Sequence, residues 1–433
     1  MSSILSNENQ EVKMNMKIAP HFQEVNRIVQ GGYELGIGQL VAQDDEISGS
    51  HVQLEGKDCL FFGSCGYLAL ELDPRLKQAA ADAAMQYGTM FSSSRAYMRV
   101  NLYDELESLF EQIFGFPCLV SATTTLGHTS VIPTLIGRDD AVILDHQVHA
   151  SVQTMVQIAK ANGTHVELVR HNRMDMLEER IKKLRDKHEK IWYMADGVYS
   201  MYGDLAPMKE IGELLDRYDN FYAYLDDAHG MSWTGTHGNG YVLSQMPDLH
   251  DKMILLTSLA KGFGACGGVM VFKDPELRNL VRNCGRSLMF SGPVPPPILG
   301  AAIASAKIHL TPEIVEKQEK LADLMRFYVK TAKELHLPLV SHAETPIGFI
   351  GVGQPETGYK MSRMLIDEGF YVNLAVFPSV PIKNTGLRMT LSLHQTRETI
   401  HRLLHTIAIL MEQLHEQGDL QKNEIQKAFS LTD

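Results

Sequence analysis

In the stretch LLTSLAKGFGACGG (residues 255–268), one lysine, Lys261, stands between an apolar run and a cluster of glycines. A lysine so placed is a candidate Schiff-base nucleophile, because burial disfavours its charge and leaves the amine reactive. Gly262, Gly264 and Gly267 also spell G-x-G-x-x-G. As a dinucleotide fingerprint that pattern must open a helix. Here GVMVF follows, which reads as a strand, so no helix N-terminus is available for a pyrophosphate. The glycines read instead as clearance around a cofactor joined to Lys261. Thr257 and Ser258, just before it, offer hydroxyls for a phosphate.

A second constellation is YLDDAHG (224–230), with Asp226 and His229 three residues apart after an apolar run. Pyridoxal phosphate needs a carboxylate against its ring nitrogen, so that the ring draws electrons, and benefits from a donor to its phenolic oxygen. Asp226 and His229 suit those two tasks. The plainer reading, a turn whose aspartates cap the next element, weighs equally on this motif alone. DHQVHAS (145–151) contributes His149, whose flat imidazole can stack on a pyridine ring. A metal site at His146 and His149 lacks further ligands at regular spacing. In SATTTLGHTS (121–130), hydroxyl and small residues precede an apolar helical pattern. A helix N-terminus attracts anions, so the amides of Thr124 and Thr125 are the candidate phosphate cradle.

The elements that must carry these residues alternate between short apolar runs and charged helical patterns, the mark of an α/β fold with a parallel sheet. AVIL (141–144), IWYMA (191–195), FYAYL (221–225), MILL (253–256) and VMVF (269–272) are the predicted strands. Three of them run into an acid, at Asp145, Asp196 and Asp226, and Lys261 follows the fourth. In such sheets ligands bind at the carboxyl ends of strands. Leu106, Leu109, Phe110, Ile113 and Phe114 fall on one face of a helix docked on the core. The expected division is an N-terminal arm and short strand segment (1–60), a large domain (61–309) and a smaller C-terminal α+β domain (310–433). The last 15 residues are polar and are expected to fray.

Composition narrows the function. The 433 residues carry 40 basic and 52 acidic side chains, a net charge of −12, which disfavours nucleic acid and anionic membrane surfaces as partners. Five cysteines form neither a metal pair nor an even framework and read as reduced thiols. No secretory signal and no transmembrane run are apparent, so a cytoplasmic enzyme is expected.

Taken in order, these stretches resemble the α-oxoamine synthases, a family of fold-type I pyridoxal-phosphate enzymes. The likeness runs from FFGSCGYLAL (61–70) through DHQVHAS, DGVYSMYGDLAPM (196–208), LDDAHG, HGNG (237–240), TSLAKGFGACGG and FSGPVPP (290–296) to LRMTLSLHQTRETI (387–400). It implies that Lys261 carries the cofactor, that Asp226 faces its ring nitrogen and His229 its phenolic oxygen, and that His149 stacks on its ring. It further implies that Ser200 lies near a cofactor oxygen, that Ser258 binds the phosphate, and that Arg388 takes the amino-acid carboxylate. A homodimer with active sites at the interface is implied as well, with Ser291 reaching the neighbouring cofactor's phosphate. The implied reaction condenses an amino acid with an acyl thioester, on coenzyme A or a carrier protein, with decarboxylation to an α-amino ketone.

Departures from the family pattern bear on substrate choice. TMFSSSR (89–95) replaces a glycine-rich stretch, Tyr103 and His128 stand where a histidine and an asparagine are usual, and Asp196 and Gly292 replace a glutamate and a threonine. Arg95 and Arg99 are candidate extra cations for a sulfonated amino acid. Roles in sphingolipid-like, sulfonolipid, autoinducer or biotin-type biosynthesis stay open. The alternatives are a fold-type I aminotransferase or carbon–carbon lyase, and a non-catalytic cofactor-binding regulator.

Overall fold

The computed structural model describes residues 19–431, so the first 18 residues of the expected arm lie outside the described residues. Helix α1 (Pro20–Glu34) is followed by an antiparallel hairpin, β1 (His51–Leu54) and β2 (Lys57–Phe61). Then come α2 (Pro74–Tyr87), α3 (Leu102–Phe114), β3 (Cys118–Ser121), α4 (Thr124–Leu135), β4 (Ala141–Asp145), α5 (Ala150–Ala161) and β5 (His165–Val169). The central part continues with β6 (Ile191–Asp196), β7 (Phe221–Asp226), β8 (Met253–Ser258) and β9 (Gly268–Phe272).

The central sheet has the order β3-β9-β8-β7-β6-β4-β5, parallel except where β9 runs against both neighbours. This is the α/β architecture with a mostly parallel sheet that the alternating pattern predicts. The five predicted strands are present, and β3 and β5 are added to them. β5, HVELV, lies at the sheet edge with mostly exposed or half-buried side chains, so it lacks the apolar run that marks a buried strand. Both faces of the sheet are covered. Tyr193, Leu225 and Val271 pack among helices on one side, and Val142, Met194 and Phe272 on the other. On α3, Leu106, Phe110, Ile113 and Phe114 are buried as expected, while Leu109 is half-buried.

Beyond the long helix Glu313–Glu334, β10 (Ile347–Gly353), β12 (Asn373–Ala375) and β13 (Thr385–Thr390) form an antiparallel sheet with β13 in the middle. The short strand β11 (Phe370–Tyr371) pairs in parallel with β2. The strands near the N-terminus therefore join the C-terminal part of the chain rather than standing as a separate arm. The expected fraying at the C-terminus is corrected over Lys422–Phe429, which form a helix. Ile425 is buried there, and the Phe429 ring meets those of Phe349 and Tyr202. Two apolar residues four apart suffice to dock a short helix, and polar neighbours hide that signal in composition. Among the described residues no single helix is long and apolar enough to cross a membrane.

The three glycines around Lys261 let the turn approach neighbouring backbone closely. A Cβ at Gly264 would lie 2.7 Å from backbone atoms of Leu70 and Glu71, and one at Gly262 3.0 Å from the Met231 carbonyl. At Gly267 it would lie 3.0 Å from the Ser121 carbonyl. They clear protein backbone, so that the lysine turn nests between neighbouring segments.

A charged link fastens the loops at one end of the sheet. His171 Nδ1 lies 2.9 Å from Asp145 Oδ1, and its Nε2 meets Asp204 Oδ2. Burial opposes a charge on His171, but the hydrogen bonds to both carboxylates outweigh it and push the imidazole up to about 9 from 6.5. Asp145 is held below its ordinary range, burial being outweighed by the His171 bond and by amides of Gln147 and Asn172.

Two outcomes follow. Gly264 has φ of +77°, so Gly264→Ala adds a left-handed penalty of about 1–2 kcal/mol to the backbone clash. A lower urea midpoint checks it, and an unchanged midpoint would refute the packing account. A raised folded-state value also means that the stabilisation from His171 is fully present below pH 6.5 and is lost as pH rises through about 9. Wild type minus His171→Asn, compared by urea unfolding at successive pH values, should shrink over that window by up to about 3 kcal/mol. A difference that does not vary with pH would count against a charged His171.

Candidate functional site

Strands β4, β6, β7 and β8 are parallel and end at one edge of the sheet, in Asp145, Asp196, Asp226 and Ser258. The register sets Asp196 beside Asp226 across β6 and β7. Lys261 follows β8 in a tight turn closed by Gly264 N–H donating to the Lys261 carbonyl at 2.9 Å, with Leu259 N–H donating to the Gly267 carbonyl. Six of the sequence-predicted residues line one narrow pocket: Lys261, Asp226, His229, His149, Thr124 and Thr125.

Each is positioned by its own local structure. Thr123 caps α4, its hydroxyl accepting from Leu126 N–H, so the amides of Thr124 and Thr125 head the helix at the pocket wall. His149 caps α5 through Nδ1, which accepts from Ser151 N–H at 3.2 Å. The backbone of His149 donates to Asp196 Oδ1 at 3.0 Å, tying the end of β6 to this loop. His229 is buried, with Nδ1 2.7 Å from the Tyr67 hydroxyl and its carbonyl accepting from the Trp233 indole.

The electrostatics separate the groups by charge. Burial would raise the Asp226 carboxyl, yet the hydrogen bond from His128 Nε2 at 3.0 Å, with the nearby charges, holds it at about 2. Asp196 moves the other way, raised well above its ordinary value by burial and then by the Asp226 charge. Burial lowers the Lys261 amine, with Asp226 partly opposing. Burial also lowers His149, and takes His229 well below its usual value, so both rings are neutral. The result is one firm anion, a lysine eased toward its neutral form, and two uncharged imidazoles.

The remaining expected residues lie around this pocket rather than in it. Ser258, at the end of β8, is buried and its hydroxyl accepts from Ala260 N–H at 3.2 Å. Ser200 lines an adjoining cleft of about 900 Å³ that shares His149 with the lysine pocket. Arg388, on β13, is 7% exposed; its Nε donates to the Ser200 carbonyl at 2.6 Å, and Nη2 lies 4.0 Å from Cys65 Sγ. Among the described residues it has no carboxylate partner. Ser291 lies apart, in a small cavity with Tyr103 and Gly292.

Arg95 and Arg99 are spoken for. Arg95 pairs with Glu107 and donates to the Val120 carbonyl, and Arg99 pairs with Asp104. They line a third cavity, not the lysine pocket, so they do not serve as spare cations for a sulfonate there.

Four site residues escape motif reading. Tyr67 orients His229, and Cys65 approaches Arg388. His128 and Tyr224 form a buried chain to Asp226. His128 is visible in the sequence as a departure from the family pattern; the others carry no signal, because their partners are 96 to 323 residues away.

The donor set fits pyridoxal phosphate. A buried lysine without a carboxylate of its own, a carboxylate held as an anion, a flat neutral imidazole and a helix N-terminus meet in one slot.

The comparisons with known proteins agree. The model of the family described as "Aminotransferase class I and II" matches residues 59–407. An 8-amino-7-oxononanoate synthase of Alkaliphilus oremlandii is 30% identical over 84% of this chain and 90% of its own. A serine palmitoyltransferase of Sphingobacterium spiritivorum is 28% identical over 93% and 97%. Among solved structures, serine palmitoyltransferase of S. paucimobilis superposes with a TM-score of 0.83 at 24% identity, over 91% of this chain and 98% of its own. Family match, sequence relatives and site geometry converge: the chain belongs to the aminotransferase class I and II family, and within it to the α-oxoamine synthases, pyridoxal-phosphate enzymes of C-acyl transfer.

Proposed function

We propose that this enzyme condenses an amino acid with an acyl thioester, on coenzyme A or a carrier protein, releasing thiol and carbon dioxide to give an α-amino ketone. The observation that carries this reading is the buried Arg388 guanidinium, unpaired with any carboxylate among the described residues and close enough to Lys261 to act on its charge. An uncompensated buried cation is costly, and a substrate carboxylate removes that cost. Guanidinium geometry suits two-point binding of that group.

Bound pyridoxal phosphate supplies an electron sink for the negative charge that develops at the amino acid's α-carbon. The chain's residues do the rest. The Thr124 and Thr125 amides, at the head of α4, would hold the phosphate. Asp226 would accept from the ring nitrogen, His149 would cover the ring face, and His229, fixed by Tyr67, would serve the phenolic oxygen. Burial disfavours a charge on the Lys261 amine, so with the cofactor bound it would be the base for the amino acid's α-proton. Ser258 and Ser200 act as supports, through the Ala260 amide and the Arg388 guanidinium.

The adjoining cleft is the natural seat of the acyl donor. It opens from His149 and Ser200 and is walled by Met201, Val340, Phe377 and Val380. Its apolar side suits an alkyl chain, while His171, Asp204 and Asn384 line it as well. We also infer a cytoplasmic homodimer. The cysteines among the described residues are all free. Met90, Phe91, Tyr97, Met98 and Phe290 are exposed where the 89–98 loop meets Met289 and Gly292, beside Ser291. Exposed apolar surface of this kind suits a second copy, and it would bring Ser291 to the neighbour's cofactor.

Lys261→Ala should abolish thiol release and covalent retention of the cofactor, while Arg388→Ala should raise KM for the amino acid about tenfold or more. Thiol release measured over a panel of amino acids and acyl thioesters checks both. Amino-group exchange with keto acids in the absence of any thioester would favour an aminotransferase instead. Phe290→Asp should shift the sedimentation of the protein from dimer to monomer, and a wild type that sediments as a monomer would sink the dimer reading.

A further inference from the structure

The Asp226 carboxylate is not held by its own strand alone. Its Oδ1 accepts from the Ala228 amide at 3.0 Å, and its Oδ2 lies 3.0 Å from His128 Nε2 on α4. The other ring nitrogen of His128, Nδ1, lies 2.7 Å from the Tyr224 hydroxyl. Tyr224 stands two residues before Asp226 on β7, so both project from the same face of the strand. His128 is 0% exposed, Tyr224 1% and Asp226 4%, so the chain is shielded from water except where Asp226 meets the pocket.

Hydrogen-bond valence fixes its polarity. An ionised carboxylate only accepts, so Nε2 must carry the proton it donates to Asp226. Burial and the nearby Asp226 charge raise the Tyr224 phenol well above its ordinary value, so the hydroxyl keeps its proton and can donate to Nδ1. We infer that Tyr224 and His128 form a fixed relay, Tyr224 to His128 to Asp226, that presents the Asp226 carboxylate to the cofactor's ring nitrogen in one orientation and as the anion. His128 is in this sense a positioning residue, and Tyr224 selects its tautomer.

The relay meets a need specific to this pocket. Asp196 lies beside Asp226 on the neighbouring strand, and the two cannot both be charged without cost. Lys261 and His149 also face Asp226, but Lys261 must change charge and partner during turnover. Among the described residues, His128 is the one hydrogen-bond donor to the Asp226 carboxylate that lies outside the reacting groups and off its own strand and turn. It ties the ring-nitrogen anchor to α4, whose first amides hold the phosphate. The two ends of the cofactor are thereby set by one rigid helix. The inference rests on the functional reading above, because it assumes that Asp226 faces the ring nitrogen.

The test uses the full-length protein, with His128→Phe to remove both ring nitrogens, His128→Asn to retain a donor, and Tyr224→Phe to remove one hydroxyl. In the cofactor-free protein, nitrogen-15 spectra of labelled histidine, assigned by difference from His128→Asn, should show Nε2 protonated and Nδ1 bare. Tyr224→Phe should convert that pattern to a tautomer mixture. His128→Phe should weaken pyridoxal-phosphate binding and slow exchange of the amino acid's α-proton about tenfold or more, with His128→Asn recovering part of each.

A proton on Nδ1 in the wild-type spectrum would overturn the relay. So would a His128→Phe protein that binds the cofactor and exchanges the α-proton as wild type does while Asp226→Asn is impaired. Should His128→Phe fail to fold, the Tyr224→Phe spectrum decides, and an unchanged tautomer there refutes the proposal. A wild type that does not hold the cofactor through Lys261 would bring down the functional reading and this inference together.

Discussion

A buried carboxylate kept ionised is the constraint on which this molecule depends. Asp226 sits at the end of a central strand, where burial works against its charge and its hydrogen-bond partners and nearby charges outweigh it. Every nearby feature acts on that point. The Ala228 amide and the His128 imidazole satisfy its oxygens, Lys261 and His149 lie close, and Asp196 takes up the proton that two adjacent carboxylates cannot both lose. The parallel sheet makes this possible, because only parallel strands bring several carboxyl ends to one edge.

Much of this was legible in the sequence, for reasons that can be named. Lys261, Asp226, His229, His149, Thr124 and Thr125 each follow or open a regular element with a clear apolar signature, and the fold gathers them in one pocket. What was not legible is whatever depends on pairing across long separations. Tyr67 reaches His229 across 162 residues and Arg388 reaches Ser200 across 188, and no local pattern encodes either contact. The glycines beside Lys261 show a subtler limit. Their spacing correctly signalled a tight approach, yet the partner is the backbone at Leu70, Met231 and Ser121. A sequence can say that something must come close without saying what.

The C-terminal helix and the edge strand β5 failed to announce themselves for a shared reason. Each contributes only a few buried side chains, so its polar residues dominate any window drawn over it. By contrast, the docking of Phe429 on Phe349 and Tyr202 is decided by just two apolar positions on that helix. Composition reports averages, and short amphipathic elements are held by exceptions to them.

Arg388 connects the two halves of the argument. It belongs to the middle strand of the C-terminal sheet, yet its guanidinium donates to the Ser200 carbonyl, in the segment that follows β6. One such bond spends a single donor, and the rest of the fork has no carboxylate within the described residues to satisfy it. A substrate carboxylate that fills that fork therefore interacts with both parts of the chain at once. The pose of the amino acid is then set jointly, its carboxylate by a residue on β13 and its amine by the place of Lys261 after β8. Selectivity for the side chain must come from what borders that span. Cys65, half-buried, stands beside the guanidinium.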